Sequence, residues 1–165
     1  MGLLPVFLER DHDHERCLQK TLQDAERICR ERRLRLTPQR QRVLAIIASS
    51  HKAVGAYDIL EMMTPGGPLP APVTVYRALE FLMAQGLVHR LASLNAYVAC
   101  RHPGADHGAH FLVCRHCATV AEMSSAAVWH SIQEKAAMAE FTVATLLVEV
   151  AGVCRHCREP VGQTP

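Results

Sequence analysis

Apolar residues in the first half of the chain recur at intervals of three and four, and from residue 87 the spacing shortens toward two, so helices precede strands. Leu18, Leu22, Ala25, Ile28 and Cys29 mark one face of a charged helix over residues 9–33. Thr37-Pro38 is a start signal, with Thr as N-cap and Pro at the first helical position; Val43, Leu44, Ile46 and Ile47 give the second helix its stripe. Residues 49–55 end it. A third helix is predicted over 56–63 and is closed by Pro65-Gly66-Gly67-Pro68. A fourth opens at Pro72, carries Val75, Leu79, Leu82 and Met83 on one face, and stops at Gly86. At about 100° per residue, Arg77 projects from the side opposite that stripe. Two short strands follow, 87–91 and 95–99, around a turn at Ser93-Leu94. Helices followed by a small hairpin are the order of a winged helix-turn-helix, in which residues 74–82 take the place of the recognition helix and the hairpin that of the wing.

Residues 100–108 are polar, rich in His and Gly, and interrupted by Pro103, which reads as a hinge. Beyond it the pattern predicts strands over 109–114 and 118–123, a helix from Ser124 to about Met138, and a long strand from Phe141 to Val153, with a loose tail after Glu159. The expected organisation is a winged-helix DNA-binding domain with an N-terminal helix over 1–99, the hinge over 100–108, and a dimerisation and zinc-binding domain over 109–165. The fold class is α+β. A three-stranded sheet this short leaves edges unpaired, and a homodimer would close them.

Cys114-Arg115-His116-Cys117 and Cys154-Arg155-His156-Cys157 each hold two cysteines at the bite one tetrahedral zinc accepts from a tight turn. Four thiolates on one ion staple the ends of the second domain and leave no open coordination position, so the expected role is structural, not catalytic. Two disulfides, or a redox pair, are the competing readings of the same spacing. The first eight residues are apolar without a basic leader, and the stretch 141–154 is too short for a membrane span, so a cytoplasmic protein is expected. In that reducing compartment seven cysteines fit metal ligands and buried thiols better than a disulfide framework. The net charge of +2 alone does not indicate nucleic acid, but its placement is uneven: seven arginines lie between residues 27 and 42.

A second group of donors brackets the hinge: His89 in the first wing strand, Cys100 and His102 at its exit, His107 and His110 before the first knuckle, and Glu122 after it. An ion held from both sides would fix the relative angle of the two domains, making a two-state switch biased by metal. A thiolate in the set favours zinc over iron or manganese. His12, His14 and Cys17, on a polar helix start, are read as a solvated face.

With these residues in hand, the chain resembles the ferric uptake regulator (Fur) family, and within it the zinc uptake regulator branch. The resemblance rests on Arg35-Leu36-Thr37-Pro38-Gln39-Arg40, on Thr74-Val75-Tyr76-Arg77-Ala78-Leu79, on Asn95-Ala96-Tyr97-Val98-Ala99-Cys100 and on both knuckles, and it runs from about residue 25 to 158. It implies a homodimeric repressor that binds AT-rich palindromic operator DNA when loaded with zinc and represses zinc uptake genes. It also implies two zinc ions per chain, one structural at Cys114, Cys117, Cys154 and Cys157, and one regulatory at His89, Cys100, His107 and Glu122. Arg77 would read a major-groove base edge and Tyr57 would contact bases or backbone, with Arg40 and Thr74 positioning phosphates. Neither a membrane nor a small-molecule substrate is expected. The denser histidine run common in the family's iron branch is missing before the first knuckle, which leaves a third site resting on His110 with His130.

Other classes predict different chemistry. A sensor of iron, manganese or peroxide would use nitrogen and oxygen donors without Cys100. A zinc enzyme would need three protein ligands, an open metal position and a general base in a pocket, and the sequence supplies no clear substrate cleft. A zinc-ribbon interaction module would ignore DNA altogether.

Overall fold

The computed structural model describes residues 7, 13–68, 70–104, 109–123 and 125–158. The chain divides into two compact units: Glu9–Ala105, and Asp106–Pro165 together with Met1–Leu8.

In the first unit, α1 (His14–Glu31) starts where the Asp13 side chain accepts from the Arg16 N–H at 3.0 Å, and it buries Ala25, Ile28 and Cys29. Thr37 caps α2 (Pro38–Ala48), accepting from the Arg40 N–H, and Val43, Leu44, Ile46 and Ile47 are buried as their spacing predicts. The strand β1 (Val54–Gly55) leads directly into α3 (Ala56–Met63), whose Asp58 side chain accepts from the Gly55 N–H at 3.2 Å. The helix α4 (Pro72–Ala84) buries Val75, Ala78, Leu79 and Leu82, and Gly86 follows it at φ +68°, a conformation that favours glycine. The wing is β2 (Val88–Leu91) and β3 (Ala96–Ala99), with β1 added on the far side of β3 in the order β1-β3-β2, all antiparallel. The third wing strand is an addition to the expected hairpin. One apolar core joins all of these elements, from Ala25 to Tyr97.

In the second unit, β4 (Ala109–Cys114) pairs antiparallel with β5 (Val120–Met123) and parallel with β6 (Leu147–Gly152), while α5 (Ala126–Met138) makes the crossover. Ser125 caps α5 by accepting from the Val128 N–H. The long strand expected from Phe141 is shorter: β6 begins at Leu147, because β4 offers six residues and pairs them one for one with 147–152. Likewise the strand expected from Ala118 begins at Val120, since the turn holding Ala118 at φ 58° cannot pair. No residue of α5 is buried, and Met138, Phe141, Leu147, Val150 and Val153 are exposed.

Candidate metal centres and nucleic-acid interface

The knuckles meet because of a register. Parallel pairing sets Cys114 opposite Gly152, so the turn that follows β4 and the turn that follows β6 leave the same end of the sheet side by side. The Arg115 N–H donates to the Gly152 carbonyl at 2.9 Å and fixes that alignment. Each turn closes on itself: the Ala118 N–H donates to the Cys114 carbonyl, and the Cys157 N–H to the Cys154 carbonyl, both at 3.0 Å. The sulfurs of Cys114, Cys117, Cys154 and Cys157 consequently all lie within 4.8 Å of one another.

Those distances discriminate between the chemical readings. The sulfurs of Cys117 and Cys154 are 3.8 Å apart, and none of the four knuckle cysteines is in a disulfide. A disulfide needs about 2.05 Å. Four zinc–sulfur bonds of about 2.3 Å in a tetrahedron place the sulfurs about 3.8 Å apart, so the set fits zinc. The surrounding groups favour thiolate as well. Burial opposes ionisation of Cys114, but backbone N–H groups of Cys154, Cys117 and His116 directed at its sulfur prevail and bring its pKa down to about 6. The Cys154 N–H lies 3.4 Å from that sulfur. Cys117 is lowered mainly by its contact with the Thr119 hydroxyl at 3.2 Å. Cys157 is pushed up to about 12 by sharing a proton with Cys117 and by burial. Four sulfurs competing for negative charge is a state that a divalent cation resolves.

Three donors of the other expected site lie on or beside strands. His89 on β2 faces Val98 of β3, and Cys100, just past β3, donates its N–H to the Leu87 carbonyl at 2.9 Å. Strand alternation puts His89 and Cys100 on one face of the wing, with a ring nitrogen and the thiol within 4.8 Å. Cys100 thus extends the wing ladder. In the second unit Glu122 is a buried carboxylate on β5, opposite Phe111. His110 pairs with Met123, one step along, so its side chain leaves the opposite face of the sheet from Glu122. His110 is 3% exposed, and among the described residues neither ring nitrogen has a hydrogen-bond partner. His102 and His130 are exposed, and His107 lies outside the described residues.

On the first unit, Arg77 is exposed on the face of α4 opposite its buried stripe, beside Val73 and Tyr76, which are exposed as well. Tyr57, in the first turn of α3, is 74% exposed. A groove of about 620 Å³ is lined by Tyr57, Tyr76, Glu80, Arg90, Asn95 and Tyr97. Thr74 is half-buried in the first turn of α4. Arg40 is otherwise engaged: its guanidinium stacks 3.5 Å from the Phe81 ring centroid and donates to the Arg35 carbonyl. Tyr76 and Val73 were not singled out in the sequence, although both flank Arg77 on one helical face.

A model of the ferric uptake regulator family matches residues 31–151. The chain belongs to that family. It is 37% identical to the zinc uptake regulation protein of Escherichia coli (strain K12) over 142 residues, 86% of this chain and 83% of that protein. A solved structure of a zinc uptake regulator complexed with zinc and DNA is 37% identical and matches with a TM-score of 0.80, covering 85% of this chain and 94% of that one. The structure of holo XcZur is 42% identical with a TM-score of 0.77, covering 84% and 96%. The family is one of DNA-binding transcription regulators, not enzymes. The winged helix, the small second domain and the four-cysteine centre are the fold expected from the sequence. No helix among the described residues is long and apolar enough to cross a membrane.

Proposed function

We propose that this protein is a zinc-responsive transcriptional repressor that binds AT-rich palindromic operator DNA as a homodimer and represses zinc uptake genes. The observation that carries the reading is the His89–Cys100 pair on the wing: a nitrogen and a soft sulfur donor within 4.8 Å, on the structure that flanks the recognition helix. A regulatory zinc would be held by His89, Cys100, His107 and Glu122. The structural zinc at Cys114, Cys117, Cys154 and Cys157 makes two per chain. Zinc supplies no reaction here; it supplies a crosslink whose presence depends on the free zinc concentration. If the ion binds the DNA-competent state better, the typical coupling of about 1–3 kcal/mol changes operator affinity about 5- to 150-fold.

DNA contact falls to the exposed face of α4. Arg77 presents a guanidinium suited to guanine O6 and N7 in the major groove, and Tyr57 supplies a base or backbone contact. Thr74 and Arg40 are the candidates for phosphate contacts, Arg40 only by leaving Phe81. Two-fold symmetry would match a palindromic operator. The dimer is supported by α5, which buries nothing, by the exposed Leu147, Val150 and Val153, and by the outer edge of β6, which has no pairing strand among the described residues. A DNA partner supports a cytoplasmic protein. Cys100 argues against an iron, manganese or peroxide sensor.

The test is a titration of the apo-regulatory protein with zinc, iron(II) or manganese(II) against a palindromic duplex at fixed salt, read by anisotropy. Salt is held constant because phosphate contacts dominate affinity. Zinc alone should restore tight binding at submicromolar free metal, and equal restoration by iron would move the reading to the other branch.

A further inference from the structure

The segment ahead of α1 precedes the family match, which begins at residue 31. It contains an apolar run, Leu3-Leu4-Pro5-Val6-Phe7-Leu8, for which the proposed function has no use. Phe7 belongs to the compact unit of the knuckles, not to the unit containing α1. It is half-buried and borders an apolar cleft of about 110 Å³ together with Leu112, Val150, Val153, Cys114 and Cys154. Its backbone is held too. Arg155, the residue after Cys154, donates from Nη2 to the Phe7 carbonyl at 3.2 Å and from Nε to His156 Nε2 at 3.3 Å.

We infer that Phe7 is a clasp on the structural zinc site, closing the cleft through which a competing ligand or an electrophile would reach the sulfurs of Cys114 and Cys154. Those two are the buried pair of the set, 1% and 3% exposed, and both border the same cleft as Phe7. Cys117 and Cys157 are half-buried. Removing a zinc from four thiolates requires an incoming ligand to replace them one at a time, and a covered sulfur is replaced late. The clasp also acts on the knuckle itself, because the Phe7 carbonyl fixes the guanidinium inside the second Cys-x-x-Cys turn. The residue that walls the cleft is Phe7 of the same chain.

The experiment compares the full-length, zinc-loaded protein with Phe7→Ala, Phe7→Leu and a variant lacking residues 2–8. Two rates are read: transfer of the retained zinc to 4-(2-pyridylazo)resorcinol, and alkylation of Cys114 and Cys154 by iodoacetamide, resolved by peptide mass. Phe7→Ala and the truncation should speed both about five- to tenfold, the factor that losing about half of a Phe side chain's burial corresponds to, with Phe7→Leu between. Unchanged rates overturn the clasp. A variant that keeps the fold intact supplies the second readout: with p-benzoylphenylalanine at position 7, irradiation should join that residue to the peptide spanning 150–155 of the same chain. Absence of that adduct, or its appearance only between chains, overturns the assignment.

Discussion

Cys154→Ser should unfold the second unit while sparing the first. A zinc held by the four cysteines would tie Cys114 to Cys154, 40 residues apart in sequence. Closing a loop of that length removes unfolded-state entropy worth about 4 kcal/mol by the relation used for disulfides, a lower bound for a metal that also satisfies four thiolates. Against this stands little else. The unit has three strands of four to six residues and a helix that buries nothing. A loss of about 4 kcal/mol is comparable to the whole stability of a domain this small. The winged unit has its own core, from Ala25 to Tyr97, with no residue of the knuckles in it. Hydrogen exchange by mass spectrometry separates the two. In the variant, amides of β4, β5 and β6 should lose protection by a factor of several hundred or more, in keeping with about 4 kcal/mol, while those of α2 and α4 keep theirs. Protection of β4–β6 equal to that of the unaltered protein would refute the reasoning, because the sheet would then be stable without its staple.

Arg77→Ala should cost about 1–3 kcal/mol of operator affinity and flatten base preference at one position, measured by anisotropy on operator variants; a uniform loss across sequences would make Arg77 a phosphate contact. Arg40→Ala should lower thermal stability by about 1 kcal/mol through loss of the Phe81 stack and the Arg35 carbonyl bond, seen in a denaturant melt. Cys100→Ser should abolish the second zinc and zinc-dependent DNA binding but leave the first zinc in place, checked by metal analysis. Zinc affinity of the knuckles should weaken as pH falls: Cys157, raised to about 12, must give up a proton throughout the neutral range, and Cys114, at about 6, adds a further one only below that pH. A plot of log affinity against pH from a competing chelator should therefore steepen by one proton below about pH 6, and an unbroken slope would count against the Cys114 assignment.

The helices of the first unit were legible because each carries its own signals. Thr37-Pro38 starts α2 and Gly86 closes α4, and their stripes are buried as the spacing requires. Two residues cannot show a period, so β1 at Val54–Gly55 was invisible. Phe141–Val153 alternates well enough for a long strand, but its length is set by the six residues β4 presents, a tertiary fact. The four cysteines announced a metal by spacing alone. That the knuckles meet depends on parallel register, which the sequence does not carry. Arg40 reads as a free cation in sequence; its place over Phe81, 41 positions away, comes from the packing of α2 against α4. Phe7 gave no signal beyond an apolar run; the carbonyl contact with Arg155 and the cleft beside Cys114 and Cys154 assign it a place.

The most direct measurement is the zinc content per chain before and after mild chelation, taken on the same samples used for binding to an AT-rich palindromic duplex at fixed salt. The account predicts that one zinc resists the chelator, while a second is lost together with DNA binding and both return on adding zinc. A single zinc per chain with DNA binding indifferent to chelator would contradict it.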